Sequence, residues 1–353
     1  MNFTTFITLF LLIIFYGCSS SDDTPEKNGS SDDTPEKNDK HTYTISTFQE
    51  EHHAFGEGFS QRIEKEFHFP TDPTKVEKIL MFVKLRCPEQ SGCNAWDVFA
   101  NVKVKDPKRN KWFEIGRYIT PYGVDNSQLS RGFMIDVTDF KEILTGDVNL
   151  MSFIEVWGND GWLVSIDFDV IEGTPDYKYI SVAPILDYTT NSLEGVPYGV
   201  EHDFELKKNI TMPDEAEKSA LRTIITGWGH ATPVDPDGRP CAEWCFRSHN
   251  ILINNKTQFV HNMDAMGCDD NPVQPQYGNW EPDRAGWCPG MEVPIRKDYF
   301  TKDISGESFT FEYQFEEWSN NFQSEADNPN AYYAISTYIV VKSNSPIDMP
   351  LVE

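Results

Sequence analysis

At 353 residues, with 30 basic against 56 acidic side chains, the chain has a formal charge of -26, a field that repels phosphate backbones and anionic lipid and argues against nucleic acid as a partner. The length allows two domains, each with its own core.

The chain opens on an apolar run, Phe6 to Tyr16, too short to span a bilayer and long enough for the centre of an export signal. Gly17 and Cys18 follow, so residues 1–18 resemble a bacterial lipoprotein signal with Cys18 lipidated, although no Lys or Arg precedes the run and Phe15 and Tyr16 are bulky. An ordinary secretory signal is the alternative. Residues 19–40 hold no large apolar side chain and repeat Ser-Ser-Asp-Asp-Thr-Pro-Glu-Lys-Asn from Ser20 and again from Ser30. Such a stretch cannot offset its chain entropy and reads as an acidic, disordered tether. The expectation is an exported lipoprotein on the outer-membrane surface, touching the membrane only through its lipid; a periplasmic or secreted protein is the alternative.

From Thr42 the texture becomes short alternating runs of Val, Ile, Phe and Tyr broken by turn residues, which predicts an all-β fold. Strands are expected within Lys78 to Lys84, Val98 to Val104, Trp112 to Tyr118 and Phe133 to Val137, with a short helix conceivable over Thr138 to Leu144. Trp162, Val164, Ile166, Phe168 and Val170 share one face and Ser165, Asp167 and Asp169 the other, as a sandwich strand requires. Gly173-Thr-Pro-Asp176 is a turn cluster that places a boundary between domains 41–173 and 174–353. Beyond it, strands are expected within Leu221 to Thr226, Asn250 to Ile253, Phe309 to Phe315 and Tyr332 to Val341. Phe309, Phe311, Tyr313 and Phe315 share a face and read as core. The loop-rich stretch from His230 to Pro294 builds a site or is pinned by bridges.

Setting Cys18 aside leaves an even set, Cys87, Cys93, Cys241, Cys245, Cys268 and Cys288, which paired with neighbours gives three bridges in an oxidising compartment. A structural zinc is the competing reading. His52, His53, His230 and His249 complete no ligand-spaced set with the cysteines, so no metal is expected.

Three acids, Asp97, Glu155 and Glu243, lie within two residues of Trp96, Trp157 and Trp244. Aromatic faces stack on sugar rings, while carboxylates bind hydroxyls and transfer protons. Each tryptophan alone would more often be core and each acid alone a solvated group; the threefold coincidence points to carbohydrate chemistry. Trp228-Gly-His230 and Asp283-Arg284-Ala-Gly-Trp287 add an imidazole, a guanidinium and two indoles. Arg284 would serve as a donor to substrate or pair with an acid. No phosphate-binding loop, dinucleotide fingerprint, zinc-protease or serine-hydrolase motif is present, and no cofactor is expected.

Together these residues resemble the bacterial peptide-N-glycosidase F family. The similarity runs through Ala54-Phe-Gly-Glu-Gly58, Cys93-Asn-Ala-Trp-Asp97, Ile135-Asp-Val-Thr-Asp-Phe140 and Gly173-Thr-Pro-Asp-Tyr-Lys-Tyr179. It continues through Gly227-Trp-Gly-His230, Cys241-Ala-Glu-Trp-Cys-Phe-Arg247, Pro282-Asp-Arg-Ala-Gly-Trp-Cys-Pro-Gly290 and Tyr333-Ala-Ile-Ser336, in one colinear order after the tether. The resemblance implies two side-by-side antiparallel jelly-roll-like sandwiches with the active site in the cleft between them. It implies hydrolysis of the amide joining asparagine to the innermost N-acetylglucosamine of N-glycosylated proteins and peptides, with release of the intact glycan. On this resemblance Asp97 is the principal acid and Glu155 and Glu243 support it. Trp96, Trp157, His230, Arg284, Trp287, Trp228 and Trp244 become the substrate-binding set, and the bridges become Cys87–Cys93, Cys241–Cys245 and Cys268–Cys288. A monomer is expected. Val98 departs from the family, in which an arginine follows the principal acid, and the first cysteine loop is one residue longer. Two competing readings use the same residues: a glycosidase cutting between sugars, and a surface lectin that retains glycan without releasing it.

Overall fold

Period-two burial builds this molecule, and the strand Trp162–Glu172 shows how. Trp162, Val164, Ile166, Phe168 and Val170 are buried, and the residues between them are half-buried; each fully buried side chain of this kind contributes about 1.5–3 kcal/mol. The computed structural model describes residues 40–189, 195–321 and 330–353. The export signal, Cys18 and the tether as far as residue 39 lie outside them.

Trp162–Glu172 pairs antiparallel with His41–Ser46 on one side and Val76–Arg86 on the other, and Phe133–Asp136 extends that sheet. A second sheet runs in the order Arg62–His68, Asp147–Ile154, Phe99–Asp106, Lys111–Ile119. The two close over one core of Val, Ile, Leu and Phe side chains. In place of a helix over Thr138 to Leu144 there is a single 3-10 turn, Thr138–Phe140, because Asp136 accepts from the Thr138 N–H at 3.0 Å and its hydroxyl at 2.6 Å and tightens the chain there.

The second half repeats the plan. Tyr179–Tyr188, Tyr332–Ser343, Lys218–Trp228 and Arg296–Tyr299 form one sheet in that order. Lys256–Asn262, Ser248–Ile253, Ser308–Gln314, Lys207–Thr211 and Leu351–Val352 form the other. Phe309, Phe311 and Tyr313 lie in the core between them. The halves also exchange pieces: Met291–Glu292 pairs with Ile119 and Tyr118 at the edge of the second sheet, and Tyr338 and Val273 enter the first core.

Several strands are buried on both faces, and two of them carry much of the seam. Along Phe99–Asp106, Ala100, Val102 and Val104 enter the first core. Phe99 turns the other way onto Trp228, Trp287 and Ile224, the Asn101 amide lies 3.4 Å from the Thr189 carbonyl, and the Lys103 ammonium 3.8 Å from Asp187. Lys218–Trp228 is its counterpart, with Leu221 and Ile225 in the second core and Ile224 and Trp228 in the seam.

The seam also buries charge. Arg117 donates from Nε and Nη2 to the Glu114 carboxylate at 2.9 and 2.8 Å, and from Nη1 to Thr226 Oγ1 and the Ala334 carbonyl at 2.8 and 2.7 Å. Burial alone would raise the Glu114 pKa, but Arg117 outweighs it and holds the carboxyl below its usual range. That contribution is therefore present at neutral pH and is lost as pH falls through the lowered pKa. Arg117→Met, which strands the charged carboxylate, should cost about 3–5 kcal/mol in denaturant unfolding. Adding Glu114→Gln should return part of that loss.

Candidate active site

Asp97 reaches its position through the loop before Phe99–Asp106. The Cys87–Cys93 bridge closes that loop, the Gly92 N–H bonds the Pro88 carbonyl at 2.9 Å, and the Asn94 N–H bonds the Gly161 carbonyl at 3.3 Å. The backbone is thus fixed just upstream of Trp96 and Asp97. Trp96 stands out at 68% exposure, whereas the Asp97 side chain is only 10% exposed. Val98 donates its N–H to Thr120 Oγ1 at 2.9 Å and packs against the first core.

Glu243 arrives from the other half. Gly229 has φ +89, and a Cβ there would lie 2.2 Å from the Asn330 carbonyl oxygen, so only glycine lets the chain turn between buried Trp228 and exposed His230. The Gly229 carbonyl accepts from the Glu243 N–H at 3.2 Å, the Cys241–Cys245 bridge closes the turn around it, and Ala285 N–H bonds the Glu243 carbonyl at 2.8 Å. The last contact ties Glu243 to Arg284. Asp283 secures that segment from below, accepting from Gly267 and Cys268 N–H at 2.8 and 3.0 Å beside the Cys268–Cys288 bridge.

Arg284 is where the halves meet. Its guanidinium is fully buried, with Nη2 3.6 Å from Asp97 Oδ2 and Nε 3.6 Å from Glu243 Oε1. Its hydrogen bonds go elsewhere: Nη1 to the Pro282 carbonyl at 2.7 Å, and Nη2 to the Asn279 carbonyl at 2.7 Å and the Tyr122 hydroxyl at 3.0 Å. The indole of Trp244 covers it, 4.2 Å from ring centre to guanidinium carbon. Among the described residues Asp97 Oδ2 and Arg284 Nε are buried and make no hydrogen bond, although buried polar atoms are ordinarily paired.

Burial pushes the Asp97 pKa up to about 7, helped by the negative charge of Glu243 and opposed by Arg284 and the Tyr122 hydroxyl. A carboxyl in that state exchanges a proton readily near neutrality. His230 Nε2 lies 3.0 Å from Glu243 Oε2 and 2.8 Å from the Trp244 indole nitrogen. Its hydrogen bond to Glu243 raises its pKa, against its partial burial.

The remaining residues sort by exposure. Trp157 is 58% exposed and packs beside Phe55 at 5.1 Å between ring centres. Glu155 is buried and its N–H bonds the Phe99 carbonyl at 2.9 Å, which puts it just past the end of the strand Asp147–Ile154, beside the Asp97 segment. Three of the expected substrate contacts are corrected. Trp287 is wholly buried and packs 4.6 Å from Trp228, itself nearly buried, while their indole nitrogens donate to the Gly227 carbonyl and Thr226 Oγ1. Both belong to the hydrophobic seam. Arg284 is likewise fully buried, with its guanidinium beside both acids. Sequence reasoning passed over Tyr122 and Phe55; Phe55 occurs inside the Ala54–Gly58 motif noted above, but only their tertiary contacts mark them out.

Comparison with known proteins gives one consistent answer. Residues 68–170 match the family model for the N-terminal part of peptide-N-glycosidase F, and residues 198–340 that for its C-terminal part. The peptide-N(4)-(N-acetyl-beta-D-glucosaminyl)asparagine amidase F of Elizabethkingia miricola is 50% identical over 312 residues, 88% of this chain and 87% of that protein. The solved structure of PNGase F, described as a glycosylasparaginase from Flavobacterium meningosepticum, superposes with a TM-score of 0.85 at 50% identity, covering 89% of this chain and 99% of the other. A structure named PNGF-II, at 14% identity and a TM-score of 0.67, shares the fold.

Proposed function

The chain belongs to the peptide-N-glycosidase F family, and from that premise we propose how its own residues perform the reaction. It is an amidase that hydrolyses the bond between asparagine and the innermost N-acetylglucosamine of N-linked glycans. The asparagine becomes aspartate, and the glycan leaves as a glycosylamine that later loses ammonia.

One observation carries the assignment of roles: acids from opposite halves, Asp97 and Glu243, converge on the single buried guanidinium of Arg284. In this reading water adds to the asparagine side-chain carbonyl, the carbon–nitrogen bond breaks, and the nitrogen takes up the proton that water gives away. Asp97 relays that proton. Glu243, oriented by Arg284 and His230, places the water or the asparagine side. Glu155 holds sugar hydroxyls and tunes the local field. Trp96, Trp157 and Trp244 offer aromatic surface to the sugar and peptide. Val98, apolar where the resemblance puts an arginine, removes a polar contact beside the principal acid.

Three disulfides mark an exported protein. Lipidation at Cys18, an outer-membrane location and a domain boundary at Gly173–Asp176 complete the proposal. Incubating the soluble part with a denatured N-glycoprotein tests it: the asparagine of the sequon should convert to aspartate as intact glycan appears. A sugar left on asparagine would indicate cleavage between sugars, and bound but unreleased glycan would indicate a lectin. Trp96→Ala should raise KM by about tenfold with a smaller change in kcat, read from glycopeptide kinetics, since stacking on an exposed indole serves binding before chemistry.

A further inference from the structure

At the far end of the seam from the acids lies a pocket of 400 Å³ whose walls hold Lys78, Lys141, Lys218, Lys297 and Lys342 together with Tyr299. Five of fourteen lining residues are lysines and four are carboxylates, Glu77, Asp136, Asp139 and Asp176, in a chain where acids outnumber bases 56 to 30. Lysines so concentrated repel one another unless something negative is held among them. The protein supplies part of that charge. Asp139, buried at the base, pairs with Lys297 at 2.7 Å and Lys342 at 3.0 Å, and Asp136 sits 3.6 Å from Lys78. Glu77 and Asp176 also line the pocket, so the lysines outnumber the carboxylates by one, and two of them have no carboxylate partner among the described residues. Lys141 is buried with its ammonium on the carbonyls of Val76 and Tyr177 at 3.2 and 3.1 Å, and Lys218 lies over the Tyr299 ring at 5.5 Å. Neither has a carboxylate within ion-pair distance among the described residues. Behind Asp139, fully buried Arg222 adds a further charge at 3.8 Å, and its Nε and Nη1 make no hydrogen bond.

We propose that this pocket binds a multivalent oxyanion, a phosphate or sulfate group, held by Lys141, Lys218, Lys297 and Lys342. Each ammonium carries three donors, and Asp139 or the two carbonyls occupy only some of them. Burial and the nearby charge of Lys342 lower the Lys141 pKa despite the opposing Glu142 and Asp72, and a bound anion would relieve that strain on the charged form. Lining residues come from both halves, so an occupant ties them together. Lys218 opens the strand that Trp228 closes, which sets the pocket roughly 30 Å from the catalytic end at about 3.3 Å per residue. The site is therefore separate from the glycan-releasing one and does not depend on it.

Calorimetric titration of the full chain with inorganic phosphate, against chloride at matched ionic strength, tests this. Expected is saturable single-site binding that also raises Tm, weakened at least about tenfold by Lys218→Gln, with glycopeptide turnover unchanged. Lys218 is exposed, so the variant folds. Equal response to chloride, or equal phosphate affinity in Lys218→Gln, would overturn the proposal and leave the lysines as a structural network around Asp139. A 6-phosphorylated or 6-sulfated hexose binding more tightly than inorganic phosphate would identify an acidic glycan as the source; tighter binding of inorganic phosphate would identify the free anion.

Discussion

An Asp97→Asn variant should release glycan at least about 10²–10⁴-fold more slowly than the parent and, above pH 7, should be the more stable of the two. Both effects follow from one carboxyl. Asparagine keeps the size of the side chain and one acceptor oxygen but cannot take or give the proton that amide cleavage must move. The stability effect follows from linkage. Asp97 is shifted from 3.8 to about 7 in the folded protein by burial and by Glu243, so its neutral form is the one the fold favours. Its contribution is whole below about pH 4 and declines as pH rises to about 7, where ionisation costs up to about 4 kcal/mol at 1.36 kcal/mol per unit. Thermal melts of the two proteins should therefore coincide in acid and diverge in base, with the variant higher. Constant or reversed spacing would mean that Asp97 titrates as an ordinary surface acid. Glu243→Gln provides a second check. Removing that negative charge should lower the Asp97 pKa, moving the inflection in residual activity to lower pH.

The second large effect is expected at Arg284. Arg284→Met leaves two carboxylates facing one another across a buried gap and strands the carbonyls of Pro282 and Asn279; the loss should be about 3–5 kcal/mol in denaturant unfolding. Activity should fall too, because Arg284 opposes the rise in the Asp97 pKa, and without it the acid stays protonated to higher pH. Arg284→Lys separates the two contributions. It keeps the charge but not the planar fork that reaches Pro282, Asn279 and Tyr122 at once, so it should recover the pH profile more fully than the stability.

Much of this was legible beforehand where one physical rule acted alone. Trp162–Glu172 alternates cleanly because one face is wet, and the acids were visible because each sits beside a tryptophan. Arg62–His68 was missed: it is an edge strand, exposed along most of its length, and its charges resemble those of a loop. Trp228 and Trp287 were misassigned for a different reason. Neighbourhood in sequence fixes where a side chain is anchored but not which way it faces, and here the two indoles found each other across the seam. Tyr122 and the lysine pocket share the remaining difficulty. Lys78 and Lys342 are far apart in the chain, and only the tertiary fold makes them neighbours.

The exchange of short segments between the halves bears on how the nascent chain reaches its final form. While Met291–Glu292 is still to be synthesised, the strand Lys111–Ile119 has an unpaired rim, open to wrong partners. The first core also waits for Tyr338 and Val340, far downstream of the strands they pack against. The early part of the polypeptide therefore matures together with the late part, and export ahead of folding suits a molecule tied together in this way.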